Sequence, residues 1–148
     1  MMTGNIVQIN RRMDKVDDWG EIKYFSPSEF SCKCGECHGE LGIEFQLVEA
    51  LDHLRELYGK PIKITSGFRC EKHPETKARP TSSHTRSKSD GVFYGGKAAD
   101  IAISGSRERY LLLEMIFAND MFRRIGIGSD FMHLDLDGSK DEMVVWTY

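Results

Sequence analysis

Long apolar runs are missing from this sequence of 148 residues. No stretch approaches the roughly 20 apolar residues that a membrane-spanning helix needs, and the first 20 residues lack the apolar segment of a secretory signal peptide. Basic stripes and acidic blocks are also missing, and the net charge is only −3. We therefore expect a protein that is synthesised in the cytoplasm, has no membrane span and binds no nucleic acid.

The sequence also contains no internal repeat and no low-complexity segment. A chain of this length with 40% hydrophobic residues is sufficient for one domain with a real core. Residues 1–20 are polar and have no clear period, so we expect an N-terminal extension there that is mobile or loosely packed. Residues 21–148 are predicted to form the single domain.

Periodicity predicts the main elements of that domain. Apolar residues recur every three or four positions from Phe45 to Tyr58, which is typical of an amphipathic helix that Gly59 and Pro61 would end. Ser106 can cap a second helix. Short apolar runs predict strands at 61–66, 97–104, 123–128, 131–136 and 143–148. A polar stretch between the first two predicts a long loop at 70–97. The order indicates an α+β fold with an antiparallel sheet and flanking helices.

The predicted strands carry polar residues that could form a site. Alternation places His133 and Asp135 on one face of their strand, and a buried strand does not accept an acid such as Asp100 without a partner. If the two strands pair, Asp100 and His133 converge, and His84 can approach from the loop. Two imidazoles and one carboxylate with an open fourth position are typical of catalytic zinc.

Each of these residues also has a simpler interpretation. A histidine in a polar loop such as His84 is most often a surface residue. His133 could be a half-buried histidine with satisfied hydrogen bonds, and Asp100 could pair with Arg69.

The four cysteines form a second possible site. Cys32, Cys34 and Cys37 lie within six residues, and Cys70 follows a predicted strand. In a reducing compartment this cluster indicates a structural metal site or free thiols, and a disulfide pair is the further alternative.

Several short motifs together resemble a known family. PTSSH (80–84), GKAAD (96–100) and HLD (133–135), with SGFRC (66–70) upstream, are similar to the signature of the zinc D-Ala-D-Ala carboxypeptidases. That family includes the L-alanyl-D-glutamate endopeptidases of phage lysins and the Hedgehog signalling domain. The resemblance covers about residues 25–148 and implies the Hedgehog/DD-peptidase fold.

The resemblance also implies a role for each matching residue. His84, Asp100 and His133 would hold one Zn2+ ion. Arg69 would polarise the substrate carbonyl, and Ser82 would contact the substrate. Asp135 would lie behind the ligands and hold one of them in place.

Two departures from the family pattern concern the loop and the catalytic base. The family usually places its aspartate seven residues after the first histidine, whereas Asp100 follows His84 by 16 residues, so roughly residues 85–93 are extra. This insert is expected at the mouth of the cleft. Many members carry a glutamate three residues before the last histidine, where this chain has Asp130. Asp130 is therefore the predicted general base, a role that requires a bend at Gly128 and Ser129, and the alternative is an aspartate that only forms a turn.

Taken together, the resemblance implies a monomeric zinc peptidase that hydrolyses peptidoglycan stem peptides. It would act as an L-Ala-D-Glu endopeptidase or a D-Ala-D-Ala carboxypeptidase, and a phage lysin is the setting in which a protein without a signal peptide reaches the cell wall. The alternative is a non-catalytic, zinc-stabilised binding or virion structural module of the same fold.

Overall fold

The computed structural model describes residues 12–14, 16–89 and 91–148. Helices and strands follow one another in a mixed order along the chain. The two long helices lie on one side of a sheet. The helices are α1 (Pro27–Phe30), α2 (Phe45–Tyr58), α3 (Pro74–Ala78) and α4 (Ser106–Ala118), preceded by a 3-10 turn at Val16–Trp19. The strands are β1 (Ile64–Ser66), β2 (Ser87–Ser89), β3 (Val92–Tyr94), β4 (Ala98–Ala102), β5 (Arg124–Ile127), β6 (Phe131–Asp135) and β7 (Val144–Thr147).

The five strands of the main sheet have the order β1-β4-β6-β5-β7. Neighbouring strands are antiparallel from β1 to β5, but β7 runs parallel to β5. The prediction of an entirely antiparallel sheet was therefore wrong at this edge. Strand β6 already ends beside the start of β5, where Asp135 pairs with Arg124, and the following residues lead to the other edge of β5, where Val144 pairs with Arg124.

Helices α2 and α4 pack against each other and against one face of the sheet. The periodic residues of α2 predicted from the sequence are largely those that are buried, and Gly59 ends the helix with a left-handed φ of 75°. Strand alternation supplies the matching apolar layer. The fully buried members of this core include Leu47, Val48, Leu51, Leu54, Ala99, Ile101, Met132 and Leu134.

Two local predictions differ from the structure. The stretch 70–97 is not a structureless loop, because it contains α3 and the hairpin of β2 and β3. Gly105, rather than Ser106, occupies the N-cap of α4. The extra residues after His84 form most of the hairpin, since pairing of β2 with β3 satisfies backbone groups that an open loop would leave to water.

The N-terminal part of the chain is only partly described. Residues 1–11 and 15 lie outside the described residues, so the expected mobile extension stays a prediction for them. Met13 is fully buried and Trp19 is 6% exposed, and both belong to the core. The packed domain therefore begins before residue 21.

Within the described ranges, no helix is long and apolar enough to cross a membrane.

Candidate metal and catalytic site

The site lies on the face of the sheet that the long helices leave uncovered. Asp100 on β4 and His133 on β6 are direct partners in the antiparallel register. Their neighbours Ile101 and Met132 are fully buried in the core. Because successive side chains of a strand point to opposite faces, the same two strands build the core on one side and the site on the other.

His84 reaches this face from the loop that follows α3. Arg69 N donates to His84 O at 3.0 Å, and Lys97 N donates to Ser83 O at 2.8 Å. Gly96 makes the approach possible, because a Cβ there would lie 2.6 Å from His84 O. The His84 side chain is only 2% exposed, so it is not the surface histidine that a polar loop most often carries.

Three atoms that could ligate a metal ion lie close to one another. His84 Nε2 lies 3.2 Å from His133 Nδ1 and 3.4 Å from Asp100 Oδ1, and His133 Nδ1 lies 3.1 Å from Asp100 Oδ1. The edge of a tetrahedron of zinc–nitrogen bonds, each about 2.0–2.1 Å long, measures about 3.3 Å. The three separations therefore fit one face of a tetrahedral zinc site.

The outer hydrogen bonds of both histidines define their tautomers. His84 Nδ1 lies 2.8 Å from Gly67 O, and a carbonyl can only accept, so Nδ1 carries the proton. His133 Nε2 lies 2.6 Å from Asp135 Oδ2 and donates to that carboxylate. In their neutral forms both rings therefore direct a lone pair toward each other and toward Asp100. Three electron-rich atoms at this distance require a proton or a cation between them.

Electrostatics at the site favour a charged Asp100. Burial would raise the pKa of Asp100, but the His133 and His84 side chains beside it outweigh burial and hold the pKa below its usual range. Burial lowers the pKa of His84 and keeps it neutral. Burial also opposes charge on His133, yet Asp100 and Asp135 raise its pKa above the ordinary value. An ionised carboxylate and a neutral imidazole are the protonation states that a metal ion needs.

Asp135 and Arg124 support the His133 ring from behind. Asp135 is fully buried, and Arg124 Nε lies 2.9 Å from Asp135 Oδ1 across the β5–β6 pair. A carboxylate in this position fixes the orientation of a metal-binding histidine. Sequence reasoning identified Asp135 but missed Arg124, whose partner becomes visible only from the strand register.

Arg69 and Ser82, the other residues predicted for this site, lie at its edge. Arg69 Nη2 donates to Asp100 Oδ2 at 3.3 Å, so Asp100 faces the histidines with one oxygen and the guanidinium with the other. The pairing of Asp100 with Arg69 and its convergence with the histidines are thus compatible. Ser82 Oγ accepts a hydrogen bond from His84 N at 3.2 Å and lines the adjacent cleft.

Asp130 lies in the bend that precedes β6. Its side chain is exposed and makes no hydrogen bond to the described site residues, while its carbonyl accepts from Ile103 N. The bend expected near Gly128 and Ser129 is present. Arg109 of α4 holds it, because Arg109 Nη2 donates to the carbonyls of both residues. The role of Asp130 as a base stays a prediction.

Aromatic residues from β7 border the site. The Trp146 ring centroid lies 5.4 Å from that of His133, and Tyr148, 65% exposed, lies 5.0 Å from Phe131. Gly126, opposite His133 in the register, leaves the room that Trp146 occupies. Neither Trp146 nor Tyr148 belongs to the buried core.

A cleft of about 490 Å³ opens beside the loop that carries His84. Residues from Thr85 to Lys88 at the start of the extra segment form part of its wall, together with Ser82, Lys97 and Lys140. The insert therefore borders a space next to the loop of His84, and its place at the mouth of a substrate cleft stays a prediction.

The four cysteines do not join this site. They form a separate group of possible ligands, and none is part of a disulfide bond.

Comparison with known proteins identifies one family. A model of the family described as peptidase M15 matches residues 23–135, which is more than half of the chain. No curated protein and no solved structure shows a significant match. The matched range contains the residues of the site from Arg69 to Asp135.

Proposed function

The chain belongs to the peptidase M15 family, and we propose from this premise that it is a zinc-dependent peptidase acting on peptidoglycan stem peptides. The observation that carries the proposal is the inward-facing triangle of His84 Nε2, Asp100 Oδ1 and His133 Nδ1. These atoms have the separations that suit zinc. Three protein ligands leave a fourth position for chemistry, as in catalytic rather than structural sites.

Each residue of the site has a distinct task in this proposal. When bound, zinc supplies Lewis-acid polarisation of a peptide carbonyl and lowers the pKa of water. Arg69 lies beside Asp100 and offers its guanidinium to the oxygen of the scissile carbonyl, where negative charge develops. Asp130 accepts the proton of the attacking water and passes it to the leaving amine, which requires its exposed side chain to turn toward the site.

The cleft supports cleavage within a peptide rather than at its carboxyl end. A carboxypeptidase holds the terminal carboxylate of its substrate with a cation. Arg86 already forms ion pairs with Glu40 and Glu71, and Lys140 Nζ donates to Thr81 O and Ser83 Oγ. Lys97 Nζ lies 4.7 Å from the centroid of the Tyr94 ring, and Lys88 also interacts within the protein. Because these four cations of the cleft wall have partners within the protein, we propose an L-Ala-D-Glu endopeptidase.

Metal analysis and digestion of purified sacculi test the proposal. Zinc-loaded protein should release fragments split between L-Ala and D-Glu, which mass spectrometry detects. His133→Ala should lose both the metal of this site and the cleavage, whereas His53→Ala, at an exposed position of α2, should retain both.

Other outcomes reject defined parts of the proposal. Loss of only a terminal D-Ala would identify a carboxypeptidase. Absence of any cleavage by folded, zinc-loaded protein would favour a non-catalytic binding or virion module.

A further inference from the structure

Four sulfur atoms converge at a second place in the fold. Cys32, Cys34 and Cys37 belong to the loop after α1, and Cys70 follows β1 and is adjacent to Arg69. Their Sγ atoms all lie within 4.8 Å of one another, and Cys34 Sγ lies 3.6 Å from Cys70 Sγ. The edge of a tetrahedron of zinc–sulfur bonds of about 2.3 Å measures about 3.8 Å. The cluster therefore has the dimensions of a closed tetrathiolate site.

Every one of the four sulfurs accepts a backbone N–H. Cys34 Sγ accepts from Glu36 N at 3.4 Å, and Cys37 Sγ accepts from Glu40 N at 3.3 Å. The other two acceptors are Cys32 Sγ, from Cys70 N at 3.3 Å, and Cys70 Sγ, from Lys72 N at 3.3 Å. Hydrogen bonds to sulfur stabilise thiolates, and a complex of one Zn2+ with four thiolates carries a net charge of −2 that such donors offset.

The backbone of the loop is shaped around the sulfurs. Gly35, His38 and Gly39 have φ values of 84°, 58° and 78°. The residues that follow Gly35 and Gly39 are Glu36 and Glu40, whose N–H groups donate to Cys34 Sγ and Cys37 Sγ. The value at His38 is uncommon for a residue with a side chain, so the loop adopts a costly conformation that the sulfur contacts offset.

Free thiols account poorly for this arrangement. A buried thiol behaves as a small apolar group and has little need of an N–H donor. Cys32 and Cys70 are 3% and 1% exposed, yet each sulfur accepts a backbone hydrogen bond like the two more exposed ones. None of the four cysteines is in a disulfide.

We propose that Cys32, Cys34, Cys37 and Cys70 bind one structural zinc ion, separate from the site of His84, Asp100 and His133. Binding forms four zinc–sulfur bonds and releases the thiol protons to solvent. Zn2+ has no redox chemistry, and four protein ligands leave no open position, so the ion supplies stability rather than catalysis.

The position of the cluster gives this ion a role in supporting the catalytic face. The bound ion would join the loop of residues 32–37 to Cys70, and Arg69, the preceding residue, donates its backbone N–H to His84 O. Phe68 N also donates to Phe30 O at 2.8 Å, so the same segment is attached to the end of α1. Loss of the zinc should therefore loosen the backbone that places both Arg69 and His84.

Metal content and cobalt spectroscopy of full-length variants test the proposal. The wild-type protein should contain two zinc ions per chain, and His133→Ala and Cys37→Ser should each retain one. After cobalt replacement, the wild type and His133→Ala should show the intense ultraviolet band of thiolate-to-cobalt charge transfer. Cys37→Ser should lose this band. Because the two substitutions remove different ions, failure of this proposal is distinguishable from failure of the proposed function.

A matched control lies within the same loop. Glu36→Gln changes an exposed side chain but keeps the N–H that donates to Cys34 Sγ, so it should retain both metals and the charge-transfer band. Thiol titration of the wild type applies even where Cys37→Ser does not fold. The four thiols should be unreactive in the native protein and become reactive after a strong chelator is added.

Three results would overturn the proposal. The first is four reactive thiols in native protein saturated with zinc. The second is the absence of the charge-transfer band from cobalt-substituted wild type, and the third is stoichiometric iron in place of zinc at this site.

Discussion

Asp100 and His133 are direct partners across β4 and β6, and Asp100 Oδ1 lies 3.1 Å from His133 Nδ1. The two residues are 33 positions apart, so the register of one strand pair creates the contact. A slip of that register by one residue would turn either side chain toward the apolar core. The helices packed on the opposite face therefore hold the site together indirectly.

Asp135→Asn should weaken metal binding without removing a ligand. The amide cannot provide the charge that holds His133 Nε2–H, and loss of such a partner typically costs about 10- to 100-fold in metal affinity. Competition with a chromophoric chelator measures the affinity. Asp141→Asn, at an exposed position, should leave it unchanged, and equal affinities for the two variants would remove Asp135 from this role.

Asp130→Asn should retain the metal and lose at least about 100-fold in rate, the usual scale for a missing general base. Zinc analysis and turnover of muropeptides in the same preparation separate the two effects. Normal turnover would assign the proton transfer to another carboxylate. Glu71, which forms an ion pair with Arg86, is the next candidate among the described residues.

Arg109→Met should act through the bend that carries Asp130. The substitution removes the donors to Gly128 O and Ser129 O, so kcat should fall while metal content stays the same. In a protein that already carries Asp130→Asn, Arg109→Met should cause no further loss of kcat, because the bend then has no base to position. Arg107→Met, at an exposed position of the same helix, is the control. Additive losses in the double variant would indicate a general structural role instead.

Gly96→Ala should destabilise the protein and weaken metal binding. The new Cβ would lie 2.6 Å from His84 O, so either the loop or β4 must shift, at a typical cost of about 1–3 kcal/mol. Gly20→Ala is a matched control, because a Cβ at that position meets no atom within 4 Å. Denaturant unfolding of zinc-loaded protein checks the prediction, which is contradicted by equal stability of the two variants.

Asp137→Asn should reduce stability at neutral pH but not in acid. Burial would raise the pKa of Asp137, but hydrogen bonds from Ser139 and Ser83 outweigh it and lower the pKa. A lowered folded-state pKa stabilises the protein above the unfolded value of about 3.9, and this contribution is lost as the pH falls through the folded value. We expect a loss of about 1–2 kcal/mol near pH 7 that disappears once the pH has fallen through the lowered folded-state pKa.

Unfolding free energies of wild type and variant at several pH values measure this difference. Asp141→Asn should show no comparable pH dependence, since that residue is exposed. A difference that is constant from neutral to acid pH would exclude ionisation of Asp137 as its cause.

The sequence by itself determined the elements whose signals are local. The 3.6-residue period fixed α2, and Gly59 marked its end, because helical hydrogen bonds and the apolar stripe involve near neighbours in the chain. Alternation likewise placed His133 and Asp135 on one face of β6. The motifs around His84, Asp100 and His133 also indicated the family, which the matching family model confirms.

Tertiary structure alone decided the contacts between distant residues. The parallel pairing of β7, the Arg124–Asp135 ion pair and the support of the 128–129 bend by Arg109 depend on register and packing that no local pattern encodes. The histidine tautomers also depend on partners far away in the sequence, such as Gly67 O. Short-range periodicity therefore determined which residues could face a site, whereas long-range packing determined which atoms meet there and how far apart they lie.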